Sequence, residues 1–119
     1  MHTVYKQLED KMSEYTPDVW VVLELANSKE TVRKVFGGWY GGYAGSNSWK
    51  LNSGITAVRI DDEGHYEFDG YSGSTYYCHF NNYHMSSLMQ SVLANWQKQS
   101  EESGTTTIRI LSIDEIVET

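Results

Sequence analysis

A chain of 119 residues with one cysteine, Cys78, suits a single domain over residues 1–119 that buries one core without an intramolecular disulfide. Its formal net charge of −7 argues against a generic grip on DNA or RNA, which draws most of its affinity from Lys and Arg neutralising phosphates. The longest apolar-rich run, VWVVLELA, is far short of the roughly 20 residues that cross a bilayer, and MHTVYKQLEDKMSEY has neither the basic region nor the apolar run of a signal peptide. A cytoplasmic protein with no membrane partner is expected.

Tyr5 to Tyr15 has the three-to-four spacing of a first helix, through Val4, Leu8 and Lys11 or Met12, with Pro17 ending it. DVWVVLEL then alternates as a strand, Val19, Val21, Leu23 and Leu25 on one side and Trp20, Val22 and Glu24 on the other. Thr31 to Tyr40 continues as its partner through the ANSKE turn, although glycine inside a strand weakens it unless a bulge or a close backbone approach needs one. GITAVRI and HYEFDG form a hairpin around DDEG, where Gly64 takes positive φ, and TYYCHF follows as a strand with Tyr76, Cys78 and Phe80 on one face. From Ser87 to Gln99 the period becomes helical, with Leu88, Met89, Val92, Leu93 and Trp96 in one stripe and Ser87 with Gln90 matching a capping box. EESG closes this helix, TTTIRILSI is a last strand, and DEIVE is a short acidic end. The stripe needs a sheet to bury it. The expected fold class is therefore α+β: an antiparallel sheet of about five or six short strands packed against one long amphipathic helix and a shorter N-terminal helix.

One stretch stands apart. Val35 to Gly54, VFGGWYGGYAGSNSWKLNSG, carries five aromatic rings and six glycines. It also lies in the only basic part of the chain: Lys29 to Ile60 holds Lys29, Arg33, Lys34, Lys50 and Arg59 against Glu30 alone, whereas Asp61 to Thr119 holds ten acids against Lys98 and Arg109. Rigid rings among Gly, Ser and Asn are the composition of binding loops. The expected binding residues are Trp39, Tyr40, Tyr43, Asn47, Trp49 and Lys50, with Arg33, Lys34 and Arg59. The competing reading is packing: cross-strand core aromatics, with glycines that relieve crowding or allow bulges. Ser46, Asn47, Ser48, Asn52, Ser53, Ser72 and Ser74 either extend the rim or serve as ordinary turn residues.

Catalysis finds little footing. Cys78, His79 and His84 lie close in sequence with His65 on a neighbouring strand, but adjacent strand residues point to opposite faces, so no metal is expected. A Cys78 nucleophile needs a base such as His65 or His84, and its alternation with Tyr76 and Phe80 favours a buried, inert thiol. GYSGS lacks the glycine spacing of a nucleophile elbow, and GGWYGG is not a Walker loop. Glycine turns can still offer backbone N–H groups to an anion, while rings stack a base.

With these features, the chain resembles the small acidic accessory proteins of tailed bacteriophages: short, one domain, cytosolic, rich in aromatics and glycine, without a catalytic signature. The resemblance implies action by binding, often by occluding a host immune or replication factor or by sequestering a nucleotide signal. The expected function is thus a noncatalytic, cofactor-free counter-defence inhibitor in the host cytoplasm, with a host protein as partner. Sequestration of an anionic nucleotide by the same region is the alternative, and a thiol enzyme using Cys78 comes third. Symmetric homo-oligomerisation through the aromatic stretch is a further expectation to test.

Overall fold

The computed structural model describes residues 13–42 and 45–116. Among these residues, eight strands form two four-stranded sheets instead of one. Strands β1 (Glu14–Tyr15), β7 (Thr75–His79), β6 (His65–Gly70) and β5 (Ile55–Ile60) make an outer sheet in that spatial order. Strands β4 (Ser48–Leu51), β3 (Thr31–Trp39), β2 (Val19–Ala26) and β8 (Thr107–Ile110) make a middle sheet. Helix α1 (Ser87–Ser103) covers the far side of the middle sheet, and a one-turn helix α2 (Ile113–Ile116) closes one end of the sandwich. The fold is mixed α+β, mostly strand. No helix among the described residues is long and apolar enough to cross a membrane.

The middle layer explains the sequence of β2. Trp20 and Val22 point with Val35 into the sandwich against Phe68, Tyr76 and Cys78, while Val19, Val21 and Leu23 point with Phe36 at Met89 and Leu93 of α1. A strand covered on both faces is apolar on both, which is why VWVVL reads as a continuous run. Full burial of such a large aliphatic side chain contributes about 1.5–3 kcal/mol. Polar groups inside this core are tied: Trp20 Nε1 donates to the His79 carbonyl at 2.8 Å, and the Tyr83 hydroxyl accepts from Val22 N at 3.0 Å and donates to the Leu111 carbonyl at 2.7 Å.

Several expectations are corrected. In place of the end of an N-terminal helix, Glu14–Tyr15 pairs parallel with Thr75 and Tyr76 as an edge strand, because Tyr15 packs on Tyr76 at 5.1 Å between ring centroids; the rest of that helix, residues 5–12, lies outside the described residues. Ser86, not Ser87, caps α1, its hydroxyl accepting from Met89 N, and the helix runs one turn past Gln99 to a left-handed Gly104. Within the stripe Met89 and Leu93 are buried, while Leu88, Val92 and Trp96 stay partly exposed. Phe80 leaves the strand face for a single 3-10 turn, Phe80–Asn82, where it packs on Tyr66 from the surface. The one-turn α2, Ile113–Ile116, takes in the start of the short acidic end.

Candidate functional site

The aromatic stretch divides between two faces. Gly38 pairs with Trp49 and Phe36 with Leu51 on the α1 side of the middle sheet, whereas Gly37 pairs with Lys50 and Trp39 with Ser48 on the other side. Trp49 packs edge-on against Phe36 at 5.8 Å and Trp96 at 5.2 Å, leaving 38 % of its surface exposed. Trp39 donates from Nε1 to the Thr16 carbonyl at 3.0 Å and meets Tyr15 edge-on at 6.4 Å. Two of the glycines are there because neighbours approach closely. A Cβ on Gly38 would overlap Met89 Sδ, and one on Gly37 would lie 3.0 Å from Pro17 Cβ.

What is brought together is a shallow pocket of about 310 Å³ between the edges of both sheets, lined by Tyr15, Trp39, Ser48, Trp49 and Lys50 with Glu14 and Thr16. Lys50 Nζ sits 5.0 Å from the centre of the Tyr15 ring, a cation–π contact. The other expected residues do not join it. Arg33 is held by Glu24 at 3.2 Å and by the Glu115 carbonyl at 3.0 Å. Arg59 makes a bidentate pair with Asp69 at 2.7 and 2.9 Å, which raises its already high pKa. Lys34 is half-buried on β3 opposite Leu23. Tyr40 is exposed, and its N–H goes to Asp18 at 2.8 Å, while the Gly41 N–H goes to Asn47 Oδ1 at 3.2 Å. Two of the backbone donors an anion would use are thus occupied within the chain. Tyr43 lies outside the described residues.

Two of the remaining polar candidates serve the backbone, while the Ser72 and Ser74 hydroxyls lie 3.4 Å from each other. Ser53 Oγ accepts from Ser72 N at 2.9 Å. Asn52, only 4 % exposed, donates its N–H to the Val35 carbonyl and accepts the Val35 N–H on Oδ1, both at 2.9 Å, so it ends β4 by clamping β3; its Nδ2 has no protein partner among the described residues. Cys78 is fully buried, and burial pushes its thiol pKa up, away from the thiolate a nucleophile needs. His65 and His79 meet edge to face at 5.2 Å on the surface of the outer sheet, His65 Nδ1 lying 3.2 Å from Asp61, and His79 Nδ1 accepting from Asn81 N at 3.1 Å. Among the described residues no three His, Cys, Asp or Glu side chains gather as a metal-ligand group.

Comparison of the chain with family models, curated proteins and solved structures gives no match.

Two of the larger concavities bear on function and were not expected. A cleft of about 550 Å³ opens where the two sheets diverge, between Val22, Glu24 and Arg33 on one side and Ile55, Val58 and Tyr71 on the other. Part of its charged wall is neutralised from within, since Glu24 is shared by Arg33 and Arg109, and Arg109 also grips Glu115 at 2.7 Å, holding that carboxyl down to about 2; Glu30, which also lines the cleft, is in no ion pair among the described residues. The second is an apolar groove of about 530 Å³ between α1 and the middle sheet, walled by Leu23, Leu25, Leu51, Trp96 and Ile108. Both volumes are in the range of ligand sites. The groove has a signal in the sequence, in the lengths of two apolar faces: that of β2 runs on to Leu25, while the inner stripe of α1 turns polar after Trp96, at Gln99, Ser100 and Ser103. Where an apolar strand face outlasts the apolar helix stripe above it, the excess stays uncovered.

Proposed function

We propose that the protein is a noncatalytic binding protein that takes apolar side chains of a protein partner into the groove between α1 and the middle sheet. The carrying observation is the groove itself: Leu25, Leu51, Trp96 and Ile108 form an open apolar wall, continuous through the Trp96 ring with the exposed edge of Trp49. Aromatic anchors beside a desolvated hollow are the usual energetic centre of protein interfaces. The sealed Cys78 thiol adds support for binding over covalent catalysis. By its resemblance to phage accessory proteins, the first partner to seek is a host protein that the bound chain would occlude. Nucleotide sequestration draws on the Tyr15–Trp39–Lys50 pocket alone, because Arg33 and Arg59 are committed to internal carboxylates.

Alanine at both Trp39 and Trp49 is a poor test, since each ring also packs against the core. Arginine at Gln99 and Ser103, which line the groove from exposed positions, fills it without touching the core. Capture of a bacterial partner should be lost in the Gln99→Arg/Ser103→Arg variant and kept in Lys50→Ala. The reverse pattern would move the site to the ring pocket and sink this reading.

A further inference from the structure

We propose that the free edge of β5 is a second docking site, which takes one extended, uncharged segment of a partner protein as an added strand. β5 is the outermost strand of the outer sheet. The Asp61 N–H donates to the His65 carbonyl at 3.0 Å, so by the alternation of an antiparallel ladder Arg59 and Ala57 also turn their N–H and C=O groups toward β6. The N–H and C=O of Val58 and of Ile60 point the other way. No strand pairs with β5 on that side, and no turn, bridge or side chain among the described residues hydrogen-bonds to these four groups. The other outermost strands offer less. β1 has two residues, β4 and β8 have four each, and Gln97 Nε2 of α1 already donates to the Ile108 carbonyl of β8 at 3.3 Å. β5 has six residues, neither Lys nor Pro guards it, and its Arg59 is folded back on Asp69 and Glu67 of β6.

The side chains beside this edge are apolar. Ile55 and Val58 pack against the core between the sheets, while Ile60, on the same face of β5 as Val58, is 58 % exposed. The cleft of about 550 Å³ opens along the same edge, with Val22, Ile55, Val58 and Ile116 in its walls. A strand laid on β5 would set the side chains opposite Val58 and Ile60 on this face, the first of them over the cleft. Aliphatic residues suit those two places, since Glu24 and Arg33 in the cleft are already paired with each other, and Glu30, in no ion pair among the described residues, would repel an acid. The place between them faces Arg59, whose charge Asp69 and Glu67 already meet, so a neutral polar residue suits it. A second copy of this chain fits less well. The two-fold register that pairs all four backbone groups sets Arg59 directly against the Arg59 of the copy, between molecules of net charge −7 each. The edge belongs to the other sheet from the α1 groove, so this proposal stands apart from that reading.

The test uses a fluorescein-labelled, end-blocked peptide, Ser-Thr-Val-Thr-Ile-Thr-Ser, in fluorescence anisotropy, with two forms methylated on backbone nitrogen. Methyl groups on the Val and Ile amides, which would face β5, should weaken binding about tenfold or more, whereas methyl groups on the last two Thr amides, which would face away, should leave it nearly unchanged. Ile60→Pro, which removes one outward N–H at an exposed position, should weaken the parent peptide roughly two- to tenfold. In amide hydrogen exchange of the free protein, Val58 and Ile60 should exchange fast beside a protected Arg59, and the peptide should slow both. No binding of the parent peptide, equal loss for the two methylated forms, or exchange at Val58 and Ile60 that the peptide leaves unchanged overturns the proposal. Binding abolished by Ser103→Arg also overturns it, by placing the peptide in the α1 groove. Slowing of the same two amides by protein concentration alone overturns it in favour of a second copy. The methylated peptides act on the unaltered protein, so the test holds even where Ile60→Pro fails to fold.

Discussion

Gly38→Ala tests the claim that glycines of the aromatic stretch serve the contact between α1 and the middle sheet. The added Cβ would overlap Met89 Sδ and stand 3.2 Å from Met89 Cγ and 3.3 Å from Val19 Cγ2. Met89 is flexible in principle, but it is fully buried among Val19, Val21, Leu23, Phe36 and Leu93, so its thioether cannot swing into solvent. Overpacking of this kind costs about 1–3 kcal/mol. Met89→Ala alone removes a buried side chain and should cost about 2–5 kcal/mol. In the double variant the methyl group that Gly38→Ala introduces occupies part of the space Met89 vacated, so the combined loss should fall short of the sum by at least ~1 kcal/mol, beyond the ~0.5 kcal/mol scatter of additive pairs. For a domain of this size each kcal/mol moves the melting temperature by roughly 3–6 °C. Urea and thermal unfolding followed by tryptophan fluorescence measure all four corners of the cycle. A neutral Gly38→Ala, or strict additivity, would refute the close approach as the reason for this glycine.

Asn52→Ala should lower stability by about 1–3 kcal/mol, because it strands the buried Val35 N–H, yet leave partner capture unchanged; a neutral substitution in urea unfolding contradicts the clamp. Cys78 should resist a thiol reagent such as DTNB in the native state and react only at the rate of unfolding, so rapid labelling of folded protein would reopen a thiol mechanism. The carboxyls of Asp69 and Glu115 are held below their ordinary values by the guanidinium groups of Arg59 and Arg109, Asp69 also by the Thr75 hydroxyl and Glu115 also by Ser112. Because the folded-state pKa is the lower one, each adds stability that is full above the unfolded value and is lost as pH falls through the folded one, for Glu115 between about 4.5 and about 2. The melting temperature should fall with acid across that window, and Arg109→Met should flatten the decline; parallel curves for the two proteins exclude the pair as a source.

The local elements were written plainly because their causes are local. The alternation in VWVVLEL, the positive-φ Gly64 in the β5–β6 hairpin, the 3.6-residue stripe from Met89 to Trp96 and the Gly104 stop depend on neighbours a few residues away. They determined six of the eight strands, the long helix and the α+β class, but not the edge strands Glu14–Tyr15 and Ser48–Leu51, which read along the chain as part of a helix and as turns. The partition of those strands into two sheets depends on which faces bury one another at long range, and Val19 to Leu23 carries the same apolar run whether it lies in the middle of three layers or in one thick sheet. Tertiary contact likewise decided the aromatic stretch. Its composition offered rings, glycines and cations as one surface, but the pleat sends Trp39 and Trp49 to opposite faces, Met89 and Pro17 account for two of the glycines, and carboxylates remote in sequence take Arg33 and Arg59. The apolar groove arises the same way. Leu25, Leu51, Trp96 and Ile108 read as ordinary core residues along the chain, and only the end of the apolar stripe on α1 leaves them open to a partner.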